Sequence, residues 1–207
     1  KVRKAIRQDS SKLFEFIGHK AEFDRSMKGF DGEISTTIEK IERTLFGDYP
    51  FAHALLLEVD GEIQGFALFH YRYSSFRGEP SIWLDDLLVV GKYRSKGYGA
   101  QLMHALKTEA EKSLISHISW TASPYNTKAH EFYKKLGAEV ERMDGQRPYF
   151  RWVICGLQAN EQGTFTRGAF SQRNTVIQDF LSVWVSKRPL FERYTLIQIA
   201  ILKWFLG

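Results

Sequence analysis

The chain has 207 residues, a single cysteine and a formal charge of +5, with 43% hydrophobic and 26% charged residues. That size and balance suit one globular core with an appendage, and the lone Cys155 excludes an internal disulfide framework. The charge is uneven: residues 154–207 hold six Lys/Arg against three acids, so +3 lies there and only +2 in the first 153 residues, which argues against a nucleic-acid partner.

No basic-then-apolar leader is visible, and no uncharged run reaches the roughly 20 residues a bilayer span needs. The expectation is therefore a cytoplasmic protein in a reducing compartment. In chain order, Val2–Arg7 reads as a strand, and Asp9 or Ser10 caps a helix carrying Leu13, Phe14 and Ile17. Residues 24–34 read as a loop, and Ser35–Phe46 as a helix with Ile38, Ile41 and Leu45 on one side. Ala52–Val59 and Ile63–Tyr71 form a hairpin across Asp60-Gly61. Ser74–Pro80 reads as a loop and Ser81–Val90 as a largely apolar strand. After a glycine turn, Leu102, Leu106, Ala110 and Leu114 stripe a helix over residues 100–114. His117–Ala122 is a short strand, and Asn126 opens a helix closed by Gly137. Ala138–Glu141 and Arg147–Ile154 then pair as a closing hairpin. Residues 155–171 read as linker, and Thr175–Val185 and Leu190–Phe205 as two short helices. Residues 1–154 thus constitute one domain and 155–207 an extension.

The richest stretch runs from Trp83-Leu84-Asp85-Asp86-Leu87-Leu88-Val89-Val90 into Arg94-Ser95-Lys96-Gly97-Tyr98-Gly99-Ala100. Strand, glycine turn and helix start together offer free backbone N–H groups to an anion, usually a phosphate. Gly97 and Gly99 are expected to take positive φ and let the backbone approach it closely. Arg94, Lys96, Lys134 and Lys135 add positive charge suited to a phosphorylated cofactor. Asp85 and Asp86 are adjacent on a strand, so their side chains are expected on opposite faces. Six histidines show no metal-ligand spacing and no Cys-x-x-Cys occurs, so no metal site is expected. Neither a Walker-type loop nor a full Rossmann fingerprint is present. Trp83, Trp120 and Trp152 are expected in the core or the wall of a cleft.

The pattern Arg-x-x-Gly-x-Gly/Ala after a strand resembles the pyrophosphate loop of the GNAT N-acetyltransferase superfamily. Asn126-Thr127-Lys128-Ala129-His130-Glu131-Phe132-Tyr133-Lys134-Lys135-Leu136-Gly137-Ala138 is similar to that superfamily's second signature. Leu84-Asp85-Asp86, Phe46-Gly47-Asp48-Tyr49-Pro50-Phe51 and Gly65-Phe66-Ala67 resemble the spermidine/spermine (diamine) branch. The likeness covers about residues 2–153 and implies an α+β fold with a splayed, mostly antiparallel sheet.

It also implies acetyl-CoA as the acetyl donor, no metal, and direct attack by the primary amine of a small molecule. By resemblance, Leu87, Leu88 and Val89 contact the pantetheine arm through backbone, and residues 94–100 hold the pyrophosphate. Asn126, Ala129 and Lys135 are placed at the cofactor, Tyr133 protonates the leaving thiolate, and Asp85 helps strip the amine's proton. Glu22, Asp85 and Asp144 are placed at the acceptor, a polyamine or a lysine-like amine. Ser75 falls where the diamine enzymes tend to carry Asp. A homodimer is implied by resemblance alone. The alternatives are a non-catalytic acyl-CoA-binding module and an acetyltransferase for a peptide or protein amine. For the tail, a docked extension is preferred over an amphipathic helix contacting a membrane or partner through Ile197, Ile199, Ile201, Leu202, Trp204 and Phe205.

Overall fold

Alternating apolar residues and turn chemistry build a seven-stranded sheet in the computed structural model, which describes residues 1–154, 157–159 and 165–167. Strands Val2–Lys4 (β1), His53–Val59 (β2), Glu62–Ser74 (β3) and Glu79–Val89 (β4) run antiparallel in that spatial order. Asp60 and Gly61 both take positive φ, the geometry of a tight hairpin, at the β2–β3 turn. The β3–β4 hairpin is longer than its sequence suggests, because pairing continues out to Ser74 and Glu79 and shrinks the expected loop to four residues.

Beyond β4 lies His117–Thr121 (β5), then Arg147–Val153 (β7) and Glu139–Asp144 (β6) at the edge. The β4–β5 pair is parallel and holds only at Ile82–Ile118 and Trp83–Ser119. Past that point the two strands separate, and the sheet opens at its centre.

Helices cover both faces. Ser10–Ser26 (α1) and Ile38–Phe46 (α2) bury Leu13, Phe16 and Ile41 against Leu56, Phe66 and Leu88. Tyr98–Lys112 (α3) and Thr127–Lys135 (α4) bury Leu102, Met103, Leu106 and Tyr133 against Leu55, Leu57, Phe69, Ile82 and Trp120. Each fully buried side chain of this kind contributes about 1.5–3 kcal/mol. β1 ends at Lys4, shorter than expected, because Arg7–Asp9 turns as a 3₁₀ helix. Arg3 clamps that turn with two bonds to the Asp9 carboxylate, 2.6 and 2.9 Å, and one to Glu58 at 2.6 Å. Both carboxyls are held below their usual range by the guanidinium.

The expected linker 155–171 contains Leu157–Ala159 (β8) and Phe165–Arg167 (β9), which pair with each other in a separate two-stranded ribbon. The helices expected over 175–185 and 190–205 lie outside the described residues.

Candidate active site

Where β4 and β5 part, a cleft opens between the strand ends, α1 and α4. Trp83 to Leu87 line it from β4, Trp120 to Ser123 from β5 and beyond, Lys20, Phe23 and Asp24 from α1, Asn126 and Tyr133 from α4, and Arg147 from β7.

A β-bulge organises the carboxylates. Leu68 of β3 faces Asp86 and Phe69 faces Leu84, so Asp85 is the extra residue. Leu84 and Leu87 both pack in the α3 core, while Leu88 joins the α1–α2 core. Asp85 and Asp86 therefore share the α1 face. This corrects the expectation of opposite faces, which assumed an unbroken alternation. Asp85 accepts a hydrogen bond from Trp83 Nε1 at 3.0 Å, lies 3.5 Å from His70 Nδ1, and keeps 48% of its side chain exposed. Asp86 is more enclosed and sits 3.3 Å from Lys20 Nζ. Burial pushes the Asp86 carboxyl above the usual carboxylate range, opposed by Lys20 and assisted by the Asp85 and Asp24 charges.

Tyr133 stands across the cleft, 9% exposed, with its ring 4.8 Å from Trp120 and 5.2 Å from Phe150. Among the described residues its hydroxyl has no hydrogen-bond partner. Burial, and after it the Asp24 charge, push its pKa above the ordinary 10, so the phenol keeps its proton at neutral pH. Asn126 Oδ1 caps α4 by accepting from Ala129 N–H at 3.2 Å. A Schellman turn closes the helix: the Gly137 and Ala138 amides return to the Lys134 and Tyr133 carbonyls. The two caps hold the nine-residue helix at both ends, with Tyr133 in its last turn.

The turn after β4 presents an uncapped helix start. Gly97, at φ 81°, is the N-cap of α3, and Ser95 also takes positive φ, 62°. Among the described residues the N–H groups of residues 95–100 find no acceptor, which leaves six successive donors for an anion. A Cβ on Gly97 would meet nothing within 4 Å, so that site is open as well as conformationally demanding. Gly99 lies inside α3 without positive φ; a Cβ there would come within 3.3 Å of the Phe132 ring. Its expected role in the turn is thus replaced by close packing of α3 on α4. Arg94 Nε donates to the Val89 carbonyl at 2.8 Å, and its guanidinium lies over the Phe23 ring, 4.4 Å from the centroid. Arg94 thereby braces the turn against a residue that lines the cleft.

A family model of GNAT acetyltransferases matches residues 21–138, more than half of the chain and the stretch that carries the Asp85 bulge, the glycine turn and Tyr133. The chain belongs to the GNAT acetyltransferase family. It is an acetyl-CoA-dependent N-acetyltransferase, since members of this family draw the acetyl group from acetyl-CoA and pass it to an amine. The chain is 27% identical over 146 residues to the thialysine N-epsilon-acetyltransferase of Bos taurus, an alignment covering 67% of this chain and 83% of that protein. It is 30% identical over 98 residues to the L-ornithine N5-acetyltransferase of Arabidopsis thaliana, covering 47% and 40% of the two chains. In fold it is similar to a tetramutant Bacillus halodurans protein of solved structure, with TM-score 0.61, 17% identity, and coverage of 69% of this chain and 96% of that one. The fold expected from the resemblance, a splayed mixed sheet flanked by helices, is the one observed.

Within this GNAT domain the residues expected at the site separate into two groups. Asp85, Leu87, Asn126 and Tyr133 line the cleft. Leu88 and Val89 turn their side chains into the two cores, leaving only backbone on the edge of β4 that β5 does not pair. Ala129 packs against the core behind Tyr133, and Lys135 is exposed at the end of α4. Glu22 does not line the cleft: it is 74% exposed and pairs with Arg25 at 2.5 Å. Asp144 is exposed at the end of β6 and is likewise outside the lining. Among the cleft residues not singled out from the sequence are Lys20, Phe23, Asp24 and Arg147, with His70 behind Asp85. One signal was available: Leu13, Phe16, Lys20 and Asp24 follow one another at helical spacing on a single stripe.

Proposed function

We propose that the chain acetylates the primary amine of a small molecule, a polyamine or a lysine-like amine, by direct attack of the amine on acetyl-CoA. One observation carries it: a buried, protonated phenol and a solvent-reachable carboxylate line one cleft, braced through Phe23 to a row of six free amides. The relatives named above act on thialysine and on ornithine, both amines of this class.

Acetyl-CoA supplies an activated acyl group and a thiolate leaving group. The amides of residues 95–100 hold the pyrophosphate, with the Lys96 side chain and the α3 dipole adding positive potential. The backbone of Leu87, Leu88 and Val89, unpartnered by β5 on that edge, guides the pantetheine arm. Asn126, Ala129 and Lys135 flank the cofactor from α4. Asp85 takes the proton that the acceptor ammonium must lose, directly or through one water. Tyr133 gives its proton to the departing sulfur. Asp24 and Asp86, rather than Glu22 and Asp144, supply the remaining negative charge of the acceptor cleft.

Residues 1–154 form the transferase domain and 155–207 an extension. The enzyme works in the cytoplasm, as a homodimer. Among the described residues no helix is long and apolar enough to cross a membrane.

A free-thiol assay with acetyl-CoA over polyamines, thialysine, amino acids and peptide N-termini tests the proposal. Thiol release with small primary amines is expected. Acetyl-CoA binding without thiol release from any acceptor would instead mark a non-catalytic binding module, and release with peptides alone a protein acetyltransferase.

A further inference from the structure

Resting on acetyl transfer as proposed above, we infer that Lys20 is a specificity-determining residue: its ammonium fills the inner anionic part of the acceptor cleft and, of the two acceptor classes proposed, favours the lysine-like amine over di- and polyamines. Lys20 reaches from α1 into the cleft with 17% of its side chain exposed. It pairs with Asp24 one turn further along α1 and with Asp86 Oδ1, 3.3 Å away on β4. A built-in cation thus sits between two carboxylates that a longer polyamine would need for its second ammonium.

The cluster lies where the chemistry is proposed. Lys20, Asp24 and Asp86 line the same cleft as Tyr133, and the Asp24 charge is felt at the Tyr133 phenol. Among the described residues the Tyr133 hydroxyl has no hydrogen-bond partner, and Trp120 Nε1 is buried beside it without one. An occupant of the cleft therefore meets a phenol hydroxyl that no other described residue engages.

Charge counting gives the selectivity. The cleft lining holds Asp24, Asp85 and Asp86 against Lys20 and Arg147, leaving one net negative charge. Arg147 is held by its bond to the Gly29 carbonyl, 3.0 Å. Lys20 bridges the inner pair and offsets one of its two charges, whereas the neighbours of Asp85 are the Trp83 N–H and the His70 ring. One ammonium matches Asp85. A second ammonium without a counter-charge of its own, as in a di- or polyamine, must compete with Lys20 for those two carboxylates, whereas the far ammonium of a lysine-like amine carries its own carboxylate.

The test uses the full chain and two acceptors of equal length, a diamine and the monoamine with an uncharged far end. In Lys20→Met the ratio of kcat/KM for diamine over monoamine is expected to rise at least ~10-fold, chiefly through a lower diamine KM. Lys20→Arg should keep the wild-type ratio. Asp24→Asn, which leaves the ammonium and removes one negative charge, should lower it; this variant decides the matter if Lys20→Met does not fold. A ratio unmoved in Lys20→Met, or in Asp24→Asn where that variant decides, would overturn Lys20's role while leaving acetyl transfer standing. A wild-type chain that binds acetyl-CoA by calorimetry but acetylates neither amine overturns both.

Discussion

Asp85 carries its charge half exposed, with the Trp83 N–H on one oxygen and the His70 ring near the other, so the carboxylate is oriented without being neutralised. As proton acceptor it should be costly to lose. Asp85→Asn is expected to lower kcat by about 10²-fold or more, read by thiol release at saturating amine, with acetyl-CoA affinity unchanged. An unaltered kcat would remove Asp85 from the proton path. The phenol of Tyr133, held protonated by burial, should keep its acid role as the medium becomes alkaline, so kcat is expected to show no descending limb up to pH 10. A fall with a midpoint below pH 10 would contradict that. His117 tests the same electrostatics away from the site: burial and Arg151 push its pKa from the ordinary 6.5 down to about 4. Below 6.5 the unfolded chain takes up a proton that the folded chain refuses until about pH 4, so stability falls with pH across that window and not below it. In melting curves, His117→Gln should flatten the slope between those two values.

At the scale of elements, both ends of α4 and the turn before α3 place the site. Asn126→Ala removes the side-chain cap and should cost about 1 kcal/mol of stability by denaturant titration. A branched side chain at Gly97 is strained at positive φ and shadows the free amides, so Gly97→Val should weaken acetyl-CoA binding by calorimetry with little change in fold. Gly65 is constrained differently: a Cβ there would come within 2.6 Å of the Leu88 carbonyl, so only glycine lets β3 run flush against the strand that carries the site. The order of these elements is legible in the sequence, because apolar periodicity and turn residues are local signals. The bulge at Asp85 is not, since a period-two pattern places neighbours on opposite faces unless cross-strand register is known. Gly99 misleads for a related reason: its contact is Phe132, 33 positions along the chain and on another helix. Glu22 and Asp24 differ by two helical positions, about 200° of rotation, and only packing against the sheet decides which faces the cleft.

For the molecule as a whole, the parting of β4 and β5 exposes strand edge, carboxylates and phenol in one opening, with a hydrophobic core on each face to hold them. Because the free amides belong to the folded state only, acetyl-CoA should raise the melting temperature, with a gain of about 2.7 kcal/mol at a hundredfold excess over Kd. Gly97→Val should reduce that gain. The most direct test of direct acetyl transfer is steady-state thiol release by Tyr133→Phe at saturating acetyl-CoA and amine. A loss of about 10²-fold or more in kcat, at unchanged acetyl-CoA affinity, is the predicted result. Wild-type turnover by Tyr133→Phe would contradict the account.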